Sequence, residues 1–136
     1  MLHSAIQTQQ LALRNAYLAD QPQHAAIHHL NLANQLAALD ADPAVWLEQQ
    51  VAGTILLFQA DSDLLPDALG NLALVYVQFA PRKPPVPRTF DALANTIDQV
   101  DGLAFRRMTE RLAENGGASG DEALHAVLGL AATMAG

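Results

Sequence analysis

The sequence predicts an all-α protein, built from stacked antiparallel helical hairpins and closed at one end by a C-terminal helical cap. Ala and Leu, which both favour helix, dominate a chain of 136 residues whose hydrophobic content is 51%. Apolar residues recur at three- or four-residue spacing through most of the chain. Prolines and Asp-rich turns divide this periodic pattern into segments of ordinary helix length.

The composition excludes several classes of function. A chain of this length suits one domain with its own hydrophobic core. The absence of cysteine excludes disulfides, thiolate catalysis and Cys-based zinc sites. A net charge of −7 argues against nucleic acid as a partner. The longest apolar run, at 72–77, is too short to cross a bilayer, and no secretion signal is evident. We therefore expect a cytoplasmic protein with no membrane partner.

The charge is unevenly distributed along the chain. Before residue 81 the one basic residue is Arg14, set against seven acids, whereas the other six basic residues follow. A solvated surface with some internal pairing would explain this distribution. So would two halves that dock through opposite charge, or a basic partner for the acidic half.

The first two helices are predicted at 4–19 and 22–39. On the first, Leu11 and Leu18 lie apart from the main stripe, which suggests a second neighbour for that helix. The main stripe comprises Ile6, Leu13, Ala16 and Tyr17. Pro22 occupies the first position of the second helix. Its Ala-rich face comprises Ala26, Leu30, Ala33 and Ala37, and its polar face comprises His24, His28, Asn31 and Gln35.

Asp42 and Pro43 form a helix-start signal for a third helix that should end near residue 60. We expect Gly53 to mark a close helix crossing. The expected inward residues are Leu47, Val51, Thr54, Ile55 and Phe58. A fourth helix should begin at 64 or 66 and end near 80. Its apolar run at 72–77 is assigned to a buried helix because the chain offers no partner strand.

A proline-rich connector at 81–88 separates two hairpins at 1–80 from the C-terminal cap at 89–136. We expect a linker there, although its Pro-x-x-Pro spacing also fits a ligand of an SH3-like domain. Thr89 should cap the next helix. The periodic pattern at 90–114 fits one long helix or two, and we favour a break near Asp101 and Gly102, where Asp101 should cap the second. Ser119 and Glu122 have the capping-box spacing that opens a last helix, ending near 134.

The first hairpin resembles a tetratricopeptide repeat. The residues that carry the resemblance are Leu13, Tyr17, Ala26, Leu30 and Ala33, which have the spacing of that family. Residues 26–34 and the tail after 89 also resemble the C-terminal end of such arrays in large bacterial signalling proteins. The family's Trp, Gly and closing Pro are replaced here by Gln10, Arg14 and Ala38.

The resemblance implies a non-enzymatic adaptor that binds a protein or peptide, or another copy of itself. It places the groove residues of the first hairpin at Thr8, Leu11, Asn15 and Leu18. His28 and Asn31, which the motif does not explain, complete the predicted partner-binding residues. The alternative is that Leu11 and Leu18 pack against the C-terminal helices.

Reactive chemistry has little support in the sequence. His24 and His28 lie four residues apart on one helical face, a spacing that can supply two metal ligands. The alternative function is therefore a small regulatory module that binds a metal or small ligand on this face. No His-Glu-x-x-His motif, nucleophile elbow or phosphate loop is present. We therefore expect no catalytic residues and no cofactor.

Overall fold

The computed structural model describes residues 2–136, with the side chains of residues 2 and 101 excepted. This part of the chain forms seven α-helices and contains no strand, so the all-α prediction is confirmed. The helices are α1 (Leu2–Leu18), α2 (Pro22–Ala38), α3 (Pro43–Gln59), α4 (Leu65–Phe79), α5 (Phe90–Asp101), α6 (Ala104–Glu114) and α7 (Gly120–Ala135).

The first three helices end in the same way. Asp20, Asp40 and Asp61 follow α1, α2 and α3, and each has a positive φ of 51 to 57°. Asp tolerates this left-handed conformation better than most residues because its short side chain can bond locally to the backbone. Pro22 and Pro43 then begin α2 and α3. Asp42 caps α3 as predicted, since its Oδ1 accepts a hydrogen bond from the Ala44 N–H.

α3 is the central helix of the fold. It packs against α2, α4, α5, α6 and α7, and every residue from 51 to 57 is buried. A helix surrounded by neighbours has no polar face, which explains this uninterrupted burial. Four of the residues predicted to face inward are buried, whereas Phe58 is half-buried. Those four are Leu47, Val51, Thr54 and Ile55.

The predicted close crossing at Gly53 is confirmed. A Cβ at this position would lie 2.8 Å from the Ala26 carbonyl oxygen, so α2 and α3 approach closely here. The predicted buried face of α2 was partly wrong, because Ala37 is exposed and Leu30 only half-buried. The buried residues of α2 are Ala25, Ala26, His29, Leu32 and Ala33. The face of α2 that packs against α3 therefore includes His29 instead of Ala37.

The break between α5 and α6 is also confirmed. Gly102 has a φ of 68°, which glycine adopts without steric cost. The capping role predicted for Asp101 concerns a side chain outside the described residues. The cap that the structure shows is Asp98, which lies seven residues before Phe105 and accepts hydrogen bonds from the Phe105 and Arg106 N–H groups.

Two further helix starts follow the sequence signals. Thr89 Oγ1 accepts from the Ala92 N–H at the start of α5. Ser119 and Glu122 form the predicted capping box of α7. No helix interrupts the proline-rich connector between α4 and α5.

α7 packs on α3 and α4, and α6 contacts α1. In the described part of the chain, no helix combines the length and apolar character needed to cross a membrane.

Candidate functional site

A cleft lies between the C-terminal half of α1 and the corner where α5 meets α6. We call it the α1–α6 cleft. Its volume is about 490 Å³, within the range of small-molecule and cofactor sites. Its lining residues are Arg14, Tyr17, Leu18, Asp20, Val100, Leu103, Ala104, Arg107, Met108 and Arg111.

The rim of this cleft is apolar. Leu18 is 76% exposed, Val100 75% and Leu103 51%. Met108 also lines the cleft and is itself buried in the core. Three large apolar side chains exposed around one concavity are typical of a binding surface, because they lose contact with water when a ligand covers them.

The cleft is also cationic, although the chain carries a net charge of −7. Arg14, Arg107 and Arg111 line it, which are three of the seven Lys and Arg residues. Asp20 is the one acid among the lining side chains that the structure describes, and its Oδ1 lies 2.7 Å from Arg111 Nη2. Neither Arg14 nor Arg107 forms an ion pair with any side chain that the structure describes. Two guanidinium groups therefore remain available to a ligand.

The ion pair between Asp20 and Arg111 links the N-terminal half of the chain to the C-terminal helices. It is one contact of the kind expected from the uneven charge distribution. Its two side chains are 61% and 36% exposed, so water screens much of their attraction. The pair therefore adds little to the stability of the fold.

Behind the cleft, Tyr17 forms a hydrogen bond with a buried histidine, His29. Its hydroxyl lies 2.6 Å from Nε2 of His29, and Nδ1 of His29 lies 2.7 Å from Oε1 of Gln49. Because an amide oxygen can only accept, Nδ1 carries the hydrogen and donates it. Nε2 then accepts the Tyr17 O–H. The network satisfies both ring nitrogens of a side chain that has no exposed surface.

Aromatic rings enclose the same histidine. Tyr17 and Phe105 each meet the His29 ring edge-on, with centroids 5.7 and 6.1 Å away. Burial lowers the pKa of His29 to about 4, although the bond to Gln49 opposes this shift. His29 is therefore neutral near pH 7. The buried position of His29 was not predicted from the sequence. Its spacing of three residues from Ala26 and four from Ala33 was a signal for it, because this spacing places all three on one helical face.

Four of the predicted partner-binding residues are exposed on α1, namely Thr8, Leu11, Asn15 and Leu18. Leu11 is 59% exposed and Leu18 is 76% exposed, so the alternative that both pack against the C-terminal helices is wrong. Only Leu18 of this group lines the cleft.

The two predicted residues on α2 lie outside the cleft. Asn31 is exposed, whereas His28 is half-buried and its Nδ1 is bonded to the Gln9 side-chain amide. Burial and the neighbouring His24 lower the pKa of His28. His24 is exposed, and its Nδ1 lies 2.7 Å from Gln21 Oε1. Among the described residues, no group of three or more His, Cys, Asp or Glu side chains could hold a metal ion.

No protein-family model matches this chain, and searches of curated proteins and of solved structures give no match. Inferences about its function therefore rest on the α1–α6 cleft and on the exposed face of α1.

Proposed function

We propose that the protein is a non-enzymatic helical adaptor that binds a protein or peptide on the exposed face of α1. The observation that carries this proposal is the exposure of Leu11 and Leu18. They lie seven residues apart, or about two helical turns, and so share one side of the helix. This is the spacing with which helices commonly present apolar anchors to a partner.

Hairpin stacking of the tetratricopeptide type is the arrangement that we propose for the scaffold. In support, α1 packs on α2, α2 on α3, and α3 on α4. Leu13, Ala26 and Ala33, which carry much of the resemblance, are buried. Their burial supports the packing role that we propose for these residues. α7 covers both α3 and α4, which supports a capping role for the C-terminal helices.

The proposal can be tested with Leu11→Glu, which puts a charge on the α1 face outside the cleft. Leu74→Glu on α4 is the matched control, because Leu74 is 58% exposed and Leu11 59%. A partner that copurifies with the wild type is purified, and its affinity for each variant is measured by calorimetry. We expect Leu11→Glu to weaken binding at least about tenfold, as loss of an apolar anchor does, and Leu74→Glu to leave it unchanged.

Circular dichroism establishes that both variants are folded. Equal binding by folded Leu11→Glu and by the wild type would contradict the proposal. Light scattering over a range of concentrations asks whether the partner is a second copy of the chain. In that case, Leu11→Glu should shift the protein towards monomer.

The alternative function, a metal or small-ligand site at His24 and His28, has weaker support. His28 is engaged by Gln9, and the described residues offer no third ligand nearby. Metal analysis of the purified protein and of His28→Ala tests this alternative. A stoichiometric metal that is lost in the variant would favour it over the adaptor.

A further inference from the structure

We propose that the α1–α6 cleft binds a small organic anion with an apolar body. Its carboxylate would pair with Arg14 and Arg107, and its apolar part would cover Leu18, Val100 and Leu103. This inference goes beyond the adaptor function and does not require it, because it rests on the lining of the cleft.

The charge of the cleft selects an anion. Among the described side chains, Asp20 pairs with Arg111, and no carboxylate pairs with the other two arginines of the cleft. Arg14 on α1 and Arg107 on α6 both line the cleft, and no described acid is paired to either. A carboxylate suits a guanidinium because its two oxygens can accept two parallel N–H bonds. A cationic ligand would instead be repelled by the two arginines.

Tyr17, an uncharged polar residue that lines the cleft, gives a further reason to expect an anion as the ligand. Tyr17 lines the cleft, but its hydroxyl proton is donated to His29 Nε2. Among the described side chains that line the cleft, the donors left for a ligand are therefore the guanidinium N–H groups. A neutral polar ligand would gain only the weaker hydrogen bonds of uncharged groups, whereas an anion gains charge-assisted ones.

The apolar rim requires a ligand with more than a charged group. An inorganic anion would leave Leu18 and Val100 in water, where each is about three-quarters exposed. A hydrocarbon chain or ring system would cover them and gain roughly 25 cal/mol for each Å² of apolar surface removed from water. A volume of about 490 Å³ accommodates a chain of intermediate length as well as its carboxylate.

The test uses sodium decanoate as the probe and decyltrimethylammonium, of the same chain length and opposite charge, as its control. Binding is measured by calorimetry at low salt and mapped by amide chemical shifts in the full chain. We expect decanoate to bind and to perturb the amides of residues 14–20 and 100–111, and decyltrimethylammonium to leave them unchanged. The affinity should fall as salt is added, because salt screens the exposed arginines.

Substitutions of the two cleft arginines test whether the carboxylate binds in the cleft or elsewhere on the protein surface. Arg14→Gln and Arg107→Gln should each weaken decanoate about fivefold, as expected for a partly exposed ion pair. Arg82→Gln, at an exposed arginine outside the cleft, should change it less than about twofold. Leu11→Gln, which adds no charge three residues from Arg14, should keep decanoate binding and still weaken partner binding, so failure of the adaptor proposal can be distinguished from failure of this one.

Three results would overturn the inference: no decanoate binding to the wild type, equal binding of the cationic amphiphile, or chemical-shift changes confined to residues outside the cleft. Unchanged affinity in the folded double variant Arg14→Gln, Arg107→Gln would do the same. Should that variant not fold, the wild-type chemical-shift map and the comparison of the two amphiphiles still decide the question.

Discussion

Tyr17 and His29 connect the wall of the α1–α6 cleft to the protein interior, through a hydrogen bond of 2.6 Å between the tyrosine hydroxyl and Nε2. In the neutral imidazole, Nδ1–H donates to Gln49 and leaves Nε2 unprotonated, so Nε2 accepts the Tyr17 O–H. Protonating His29 would add a charge in a place with no exposed surface and would remove the acceptor for Tyr17. The stability of this region should therefore depend on pH.

We expect His29 to destabilise the fold as the pH falls. Burial lowers its pKa from 6.5 to about 4 in the folded protein. Above pH 6.5 both states are neutral at this position, and the residue adds no pH dependence. Between pH 6.5 and about 4, the unfolded chain binds the proton and the folded protein does not, so the free energy of unfolding decreases. The full decrease is about 3 kcal/mol, since a tenfold change in proton affinity corresponds to about 1.4 kcal/mol.

Urea unfolding of the wild type and of His29→Gln between pH 7.5 and 4.5 measures this contribution. The two proteins share all other titrating groups, including Glu48, whose pKa is raised by burial. The difference between their pH profiles therefore isolates His29. Parallel profiles across this range would show that His29 titrates normally in the folded protein.

Gly53→Ala should destabilise the protein by about 1–2 kcal/mol. Alanine improves helix propensity by about 1 kcal/mol, but overpacking in a core typically costs about 1–3 kcal/mol. The added Cβ would lie 2.8 Å from the Ala26 carbonyl oxygen and 3.0 Å from Leu30 Cγ. The backbone oxygen cannot rotate away, so α2 and α3 must separate.

Gly70→Ala on α4 is the matched control for this substitution. A Cβ at Gly70 would meet nothing within 4 Å, so the gain in helix propensity remains. We expect it to stabilise the protein by about 0.5–1 kcal/mol. Opposite changes in the thermal midpoints of the two variants would support the close crossing, whereas two stabilising substitutions would contradict it.

Asp98→Ala should lower the free energy of unfolding by about 2–3 kcal/mol, because it leaves a buried backbone N–H without its acceptor. Asp98 Oδ1 lies 2.8 Å from the Phe105 nitrogen, and both residues are buried. Asp98 also forms an ion pair with Arg106, whose Nε lies 3.7 Å from its Oδ2. Asp91→Ala removes a second acid that pairs with Arg106, but the Asp91 side chain is 82% exposed. Its loss should cost less than about 1 kcal/mol. If the Asp98→Ala and Asp91→Ala variants had equal midpoints in chemical denaturation, Asp98 would not be the residue that stabilises the α5–α6 corner.

The sequence by itself determined the helices of this protein and most of their ends. Asp42, Thr89 and Ser119 bond to backbone groups two or three residues away, so neighbouring residues suffice to predict these caps. The break at Gly102 and the all-α class follow from equally local signals. The close approach at Gly53 was predicted from the helix-propensity cost of a glycine inside a helix, a local signal that Gly70 carries without any close neighbour.

Only the tertiary structure decided the cleft and the buried network behind it. His29 is on the α2 face that contacts α3, and its partners Tyr17, Gln49 and Phe105 come from three other helices. Arg14 and Arg107 are brought to one cleft although 93 residues separate them in the sequence. Helix periodicity specifies which residues share a face, but the choice of faces that meet depends on packing across the whole chain. The lowered pKa of His29 and the cationic cleft are both consequences of that packing.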